Sequence, residues 1–103
     1  MTEKAKSKII KEDAEGKLSE KERLWLIKKA ATEVEINIYK MMLFSYRRTK
    51  EPLQNFDISK ARRTNRTGTL VHLNNMVKKG LIKKSGRFNY IPIDRNIAAG
   101  LKR

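Results

Sequence analysis

The sequence contains no cysteine and a single histidine. Disulfides and thiolate metal sites are therefore excluded, and one imidazole cannot complete a zinc site, so a zinc finger is excluded as well. No stretch approaches the run of about 18 apolar residues that a membrane span requires. The N-terminal MTEKAKSKIIKED lacks the apolar core of a signal peptide, so the expected location is cytoplasmic. There is no glycine-rich phosphate loop, no Ser/His/Asp order and no metal cluster. Glu33 and Glu35 are two residues apart and would point away from each other on a helix. The chain is not expected to be an enzyme, and no cofactor or metal is expected. There is no internal repeat.

Acidic residues are the other shortage. Lys and Arg number 25 in the 103 residues, Asp and Glu only 11, and the net charge is +14. Such a surplus works against a compact chain through self-repulsion. Solubility alone needs a net charge of only about 2–8 in a small domain. A polyanionic partner is the simplest reason to keep more. Nucleic acid is the first candidate and an acidic membrane surface the second. Hydrophobic residues make up 39% and charged residues 35%, where roughly a quarter charged is average. The length suits one domain with one modest core.

The pattern along the chain divides it into a flexible charged tail (1–17), a domain (18–96) and a basic C-terminal tail (97–103). In the first tail only Ile9 and Ile10 are large and apolar, and Gly16 breaks any helix. Ser19 and Glu22 have the spacing of a capping box, with Leu18 at the staple position before it. A helix follows over 19–31, with Leu24, Ile27 and Ala31 as its apolar stripe and Trp25 beside it. The segment EVEINIYKMMLFSYRR, a helix over 33–48, is too apolar for a surface helix and should be central. Pro52 ends it, and Leu53 to Phe56 suit a short extended stretch. Asp57 would cap a short helix over 58–64. Asn65-Arg66-Thr67-Gly68 reads as a turn, with a second cap at Thr67. The helix 67–79 places Leu70, Leu73, Met76 and Val77 on one face and stops at Gly80. Leu81-Ile82 and Phe88-Asn89-Tyr90-Ile91, around Ser85-Gly86, form a hairpin over 81–93 with a basic tip.

This order of elements resembles the winged helix-turn-helix family over residues 33–93. LNNMVKKGLIKKSGRFNYIPI, residues 73–93, carries most of the likeness. In many bacterial, archaeal and phage regulators of that family the recognition helix ends in a similar basic-basic-Gly-Leu-Ile run and passes into the wing. The resemblance implies an α+β, mainly helical fold, a winged helix-turn-helix with an extra N-terminal helix and a C-terminal β-hairpin wing. It implies double-stranded DNA binding in transcription regulation, with nucleoid association. Helix 67–79 would enter the major groove, which is wide enough for a helix, and the wing would contact the backbone.

The candidate contacts follow. Thr67, Thr69, Val71, His72 and Asn75 occupy the side of helix 67–79 away from its apolar face. Asn and Thr can hydrogen-bond base edges, Val71 can touch a thymine methyl, and Arg66 can reach guanine. Lys60, Arg62, Arg63 and Arg66, with Asn65 among them, precede the helix where phosphates would run. Lys79 ends it, and Lys83, Lys84 and Arg87 sit on the wing. Phosphate contacts supply most of the affinity, and base contacts supply sequence choice. Each assignment has a plainer rival. His72 reads as an exposed residue or a phosphate contact slightly more than as a base reader, and the rival for the arginines is a solvated run. Asn75 faces outward more than Asn74. Trp25 and the Met and Tyr residues of 39–46 read as core, with a homodimer interface through helices 19–31 and 33–48 as the alternative. Three other functions stay open: an RNA-bound structural protein resembling winged-helix small-subunit ribosomal proteins, a nucleoid protein contacting phosphate only, and an adaptor docking on transcription machinery.

Overall fold

A computed structural model describes the backbone of residues 3–93 and the side chains of residues 8–93. The arrangement is α+β and mainly helical: α1 (Glu3–Asp13), α2 (Glu20–Lys28), α3 (Glu33–Thr49), β1 (Leu53–Gln54), α4 (Asn55–Arg62), α5 (Arg66–Lys78), β2 (Ile82–Lys84) and β3 (Asn89–Pro92). The expected domain end at 96 and the basic tail 97–103 lie outside the described residues. Among those described, no helix is long and apolar enough to cross a membrane.

The 1–17 segment corrects the sequence expectation. It holds an eleven-residue helix, α1, packed against α3 and α4. Ile10 and Ala14, one turn apart, enter the core, and Asp13 pairs with Arg48 at 2.7 Å. Two buried apolar positions and one ion pair hold the segment against the core. Beyond it the chain crosses the Phe44 ring at Gly16, where an added Cβ would stand 2.6 Å from Cε2. Glycine permits that close approach.

The capping box before α2 forms as its spacing predicts. Glu22 N–H donates to Ser19 Oγ (3.2 Å) and Ser19 N–H to Glu22 Oε1 (2.8 Å). The buried face of α2 is different from the expected one. Leu26 is fully buried and Glu22 nearly so, while Leu24 (53%) and Ile27 (63%) face solvent. Glu22 is held inside by Arg47, 2.6 Å away, so the buried stripe runs through a carboxylate that hydropathy cannot pick out. Ala30 at φ 59° breaks α2 from α3. A second capping box, Thr32 with Glu35, then restarts the chain.

α3 is the central helix. Ile38, Tyr39, Met41, Met42 and Leu43 are all buried, and it packs against α1, α5, β1 and β3. The residues that offered a choice between core and dimer contact, Tyr39, Met41 and Met42, are thus spent on the chain's own core. Trp25 packs on Tyr39 with ring centroids 5.7 Å apart. The Tyr39 hydroxyl donates to the Ile93 carbonyl at 2.7 Å, tying the end of the sheet to α3.

The sheet has three antiparallel strands in the order β1-β3-β2, with Leu53 opposite Tyr90 and Lys84 also opposite Tyr90. Gly80, at φ +75°, ends α5 by turning left-handed, and Leu81 N–H returns to the Met76 carbonyl at 3.0 Å. That conformation costs little without a Cβ.

Candidate nucleic-acid interface

Residues 58–93 contain nine Lys and Arg and no Asp or Glu. They make up most of α4, the turn, α5 and the hairpin. How the backbone bends between these elements decides which cations meet.

The turn between α4 and α5 is short and heavily bonded. Arg63 sits at φ 56°, and Thr64 N–H bonds back to the Ser59 carbonyl at 3.0 Å. The structure moves the caps from the expected positions. Asp57 is not the cap of α4. Its carboxylate accepts the Gln54 N–H from within the first turn (3.0 Å), and the helix begins at Asn55. Thr67 is likewise not the cap of α5. Asn65 is, with Oδ1 accepting Gly68 N–H at 2.7 Å, so the expected 65–68 turn is already the start of the helix. Asn is among the most favoured N-cap residues and ranks above Thr, which suits it to this position.

Two side-chain relays brace the turn. Ser59 Oγ donates to Asn55 Oδ1 (2.8 Å), and Asn55 Nδ2 donates to the Arg66 carbonyl (3.1 Å). Thr69 Oγ1 donates to the Asn65 carbonyl (3.2 Å) and lies 3.1 Å from Thr64 Oγ1. Thr69 is fully buried. It therefore positions the start of α5 and is not on its free side.

The rest of α5 follows from that. Its buried stripe is Thr69, Leu73 and Met76, while Leu70 and Val77, expected in the core, are 39% and 38% exposed. The helix is rolled because a hydroxyl with bonds available inside the turn takes a core position. Opposite that stripe lie Thr67, Val71, Asn74 and Lys78, spaced for one helix face, all exposed. Asn74 and Asn75 are both exposed and lie on either side of the centre of this face. His72 is half-buried, on the side that Lys79 reaches two turns later.

Lys79 leaves the candidate set. Its ammonium bonds the Glu35 carboxylate and the Ala30 carbonyl, joining α5 to the α2–α3 link. Burial alone would raise the Glu35 carboxyl. The hydrogen bond from Lys79, the Thr32 N–H and the attraction of the Lys79 charge outweigh it and hold the pKa below the ordinary value. Glu22 follows the same pattern with the Ser19 N–H and Arg47. Arg62 and Arg63 are also set apart. With Lys11, Ala14 and Met41 they line a cleft beside α1.

Arg66, Lys84 and Arg87 come together. They line one groove of about 340 Å³ between the start of α5 and the hairpin, with Phe56, Leu70, Phe88 and Tyr90 between them. Arg66 and Lys60 stack on the Phe56 ring at 5.7 and 5.0 Å, and Arg87 on Phe88 at 5.4 Å. Lys83 is exposed on the same hairpin. Among the described residues no carboxylate lies within ion-pair range of Arg66, Lys83, Lys84 or Arg87. Phe56, Leu70 and Phe88 did not stand out in the sequence as site residues, since apolar residues next to strands and helices read as core. The acid-free run 58–93 is the signal that marks their surroundings. Comparison with protein-family models, with curated proteins and with solved structures gives no match to this chain.

Proposed function

We propose that the chain is a winged helix-turn-helix protein that binds double-stranded DNA and acts as a small transcription regulator, without covalent chemistry. α5 enters the major groove with Thr67, Val71 and Asn74 toward the base edges. Arg66, at its start, reaches a guanine or a phosphate. The β2–β3 hairpin is the wing and meets the neighbouring backbone through Lys83, Lys84 and Arg87. The observation that carries the reading is the convergence of Arg66, Lys84 and Arg87 on one groove beside an exposed helix face, with no acid among the residues that line it. Unpaired cations in such an arrangement repel one another, and a polyanion relieves that repulsion. The order helix, short strand, helix, turn, helix, hairpin supports the winged-helix assignment. Leu24 and Ile27, solvent-facing on α2, support a homodimer contact through that helix rather than through α3.

The test is selection from a random duplex pool at near-physiological salt, with structured RNA and bulk DNA as competitors. Enrichment of a defined motif supports the reading, and a palindrome with half-sites about one helical turn apart supports the dimer. Retention of all duplexes alike makes the protein architectural. Displacement by RNA alone overturns the assignment in favour of an RNA-bound role.

A further inference from the structure

We propose that Phe88 is a wedge that enters the base stack of duplex DNA and unwinds it. The proposal rests on the duplex-binding reading above and adds how the hairpin engages its partner.

Phe88 is 62% exposed, and among the described residues it is the only exposed aromatic side chain. It stands on the tip of the hairpin, in a three-residue loop closed by Ser85 N–H to the Asn89 carbonyl at 3.0 Å. The mounting is firm. Tyr90, two residues away, is buried and paired with both Leu53 and Lys84 across the sheet.

The surroundings narrow the partner. A large apolar ring on a protruding tip ordinarily suits an apolar protein surface. Here its neighbour Arg87 stacks on it, and Lys84 and Arg66 line the same groove. A protein hydrophobic patch offers nothing to these cations. Duplex DNA offers both chemistries within a few ångströms: phosphates at the groove edge and flat apolar faces inside the stack. Proteins that insert apolar side chains at a base step from the minor groove unstack it and distort the helix. Flexible pyrimidine–purine steps accept this most readily. In this arrangement Arg87 and Lys84 hold the phosphates on either side while Phe88 enters between the pairs.

The experiment seals a nicked plasmid with ligase in the presence of the full chain at low salt, where duplexes of any sequence are bound. After removal of protein, trapped unwinding appears as negative supercoils. Wild type should shift the topoisomers in proportion to protein bound. Phe88→Ala should still retard the plasmid, with affinity lower by no more than about tenfold, yet leave the topoisomers unshifted. Phe88→Leu, another apolar wedge, should keep part of the shift. Arg87→Ala should need more protein and reach the same shift at saturation. Since Phe88 is exposed, these variants should melt like wild type. Plasmid retardation by wild type without a shift, or an undiminished shift with Phe88→Ala, overturns the wedge alone. No retardation by wild type overturns the duplex reading with it.

Discussion

Two regions of the sequence differ in how their cations are balanced. Residues 1–57 hold thirteen Lys and Arg against ten Asp and Glu, nearly balanced; residues 58–93 hold nine against none. In the first region two arginines are tied to carboxylates. Arg47 lies on Glu22 and Arg48 on Asp13, each pair joining elements distant in sequence. In the second region Lys79 reaches back to Glu35. Arg66, Lys84 and Arg87 instead gather on one groove. The net charge of +14 is therefore not spread evenly. Structure separates cations paired with carboxylates from cations gathered on the groove, and composition alone cannot make that separation.

The comparison can be broken most forcefully from the balanced region. Ile10→Ala removes the buried anchor of α1 and should cost about 2–5 kcal/mol, as for other fully buried Ile or Leu side chains. Thermal or urea unfolding measures it. Nucleic-acid affinity of the fraction still folded should not change, because α1 lies away from the groove. If this segment were a tail, the variant would unfold like wild type.

The reverse experiment removes the gathered cations. Arg66→Ala, Lys84→Ala and Arg87→Ala together should lower duplex affinity on the order of 100-fold near 0.1 M salt. The slope of log affinity against log salt should flatten by about 0.9 for each phosphate no longer neutralised. Stability should hold or rise slightly as repulsion is relieved. Arg48→Ala, one charge removed from the tied set, should leave affinity within about twofold of wild type. If Arg48→Ala weakens binding as much as each groove cation does, binding follows net charge and not position.

Glu35 sharpens the line between the regions because it is the acid that captures a cation from the other side. Glu35→Gln should destabilise by about 2 kcal/mol at neutral pH, the range for a charge-assisted hydrogen bond. Acid should do the same gradually. Glu35 and Glu22 have folded pKa values held below the ordinary one, so the unfolded chain binds more protons than the folded chain in that range. Their stabilisation is complete above the unfolded value of about 4.3 and is lost as pH falls through the folded values. Melting temperature followed from pH 7 downward should fall less steeply in Glu35→Gln than in wild type. Parallel curves would remove Glu35 from the account.

What could be read in the sequence was local. The Ser19–Glu22 box, the stop at Gly80 and the hairpin around Ser85-Gly86 are each written in a few adjacent residues, and each is present in the structure. What could not be read depends on partners far along the chain. Glu22 is buried because Arg47 comes from 25 residues away, and Lys79 leaves the candidate site because Glu35 lies 44 residues before it. The roll of α5 was hidden for a related reason. Hydropathy puts Leu70 and Val77 inside and Thr69 outside, whereas hydroxyl bonds within the turn reverse that order. The basic members of the groove were visible as a run; its apolar lining was not, because Phe56 and Phe88 have the same spelling as core residues.

Asn65 separates the two roles at a single position and gives the smallest expected effect. As a nucleic-acid contact, its loss would weaken binding and leave stability alone. As the cap of α5, with Oδ1 2.7 Å from Gly68 N–H, its loss should do the opposite. Asn65→Ala should cost about 1 kcal/mol in unfolding free energy, the usual loss when a capping side chain is removed. Asn65→Ser should restore most of it, since a hydroxyl also accepts that N–H. Binding per folded molecule should stay near wild type in both, with a slight weakening in the alanine variant as the start of α5 frays and Arg66 loses its fixed direction. A variant that melts like wild type but binds poorly would return Asn65 to the interface and move the boundary between fold and partner into the first turn of α5.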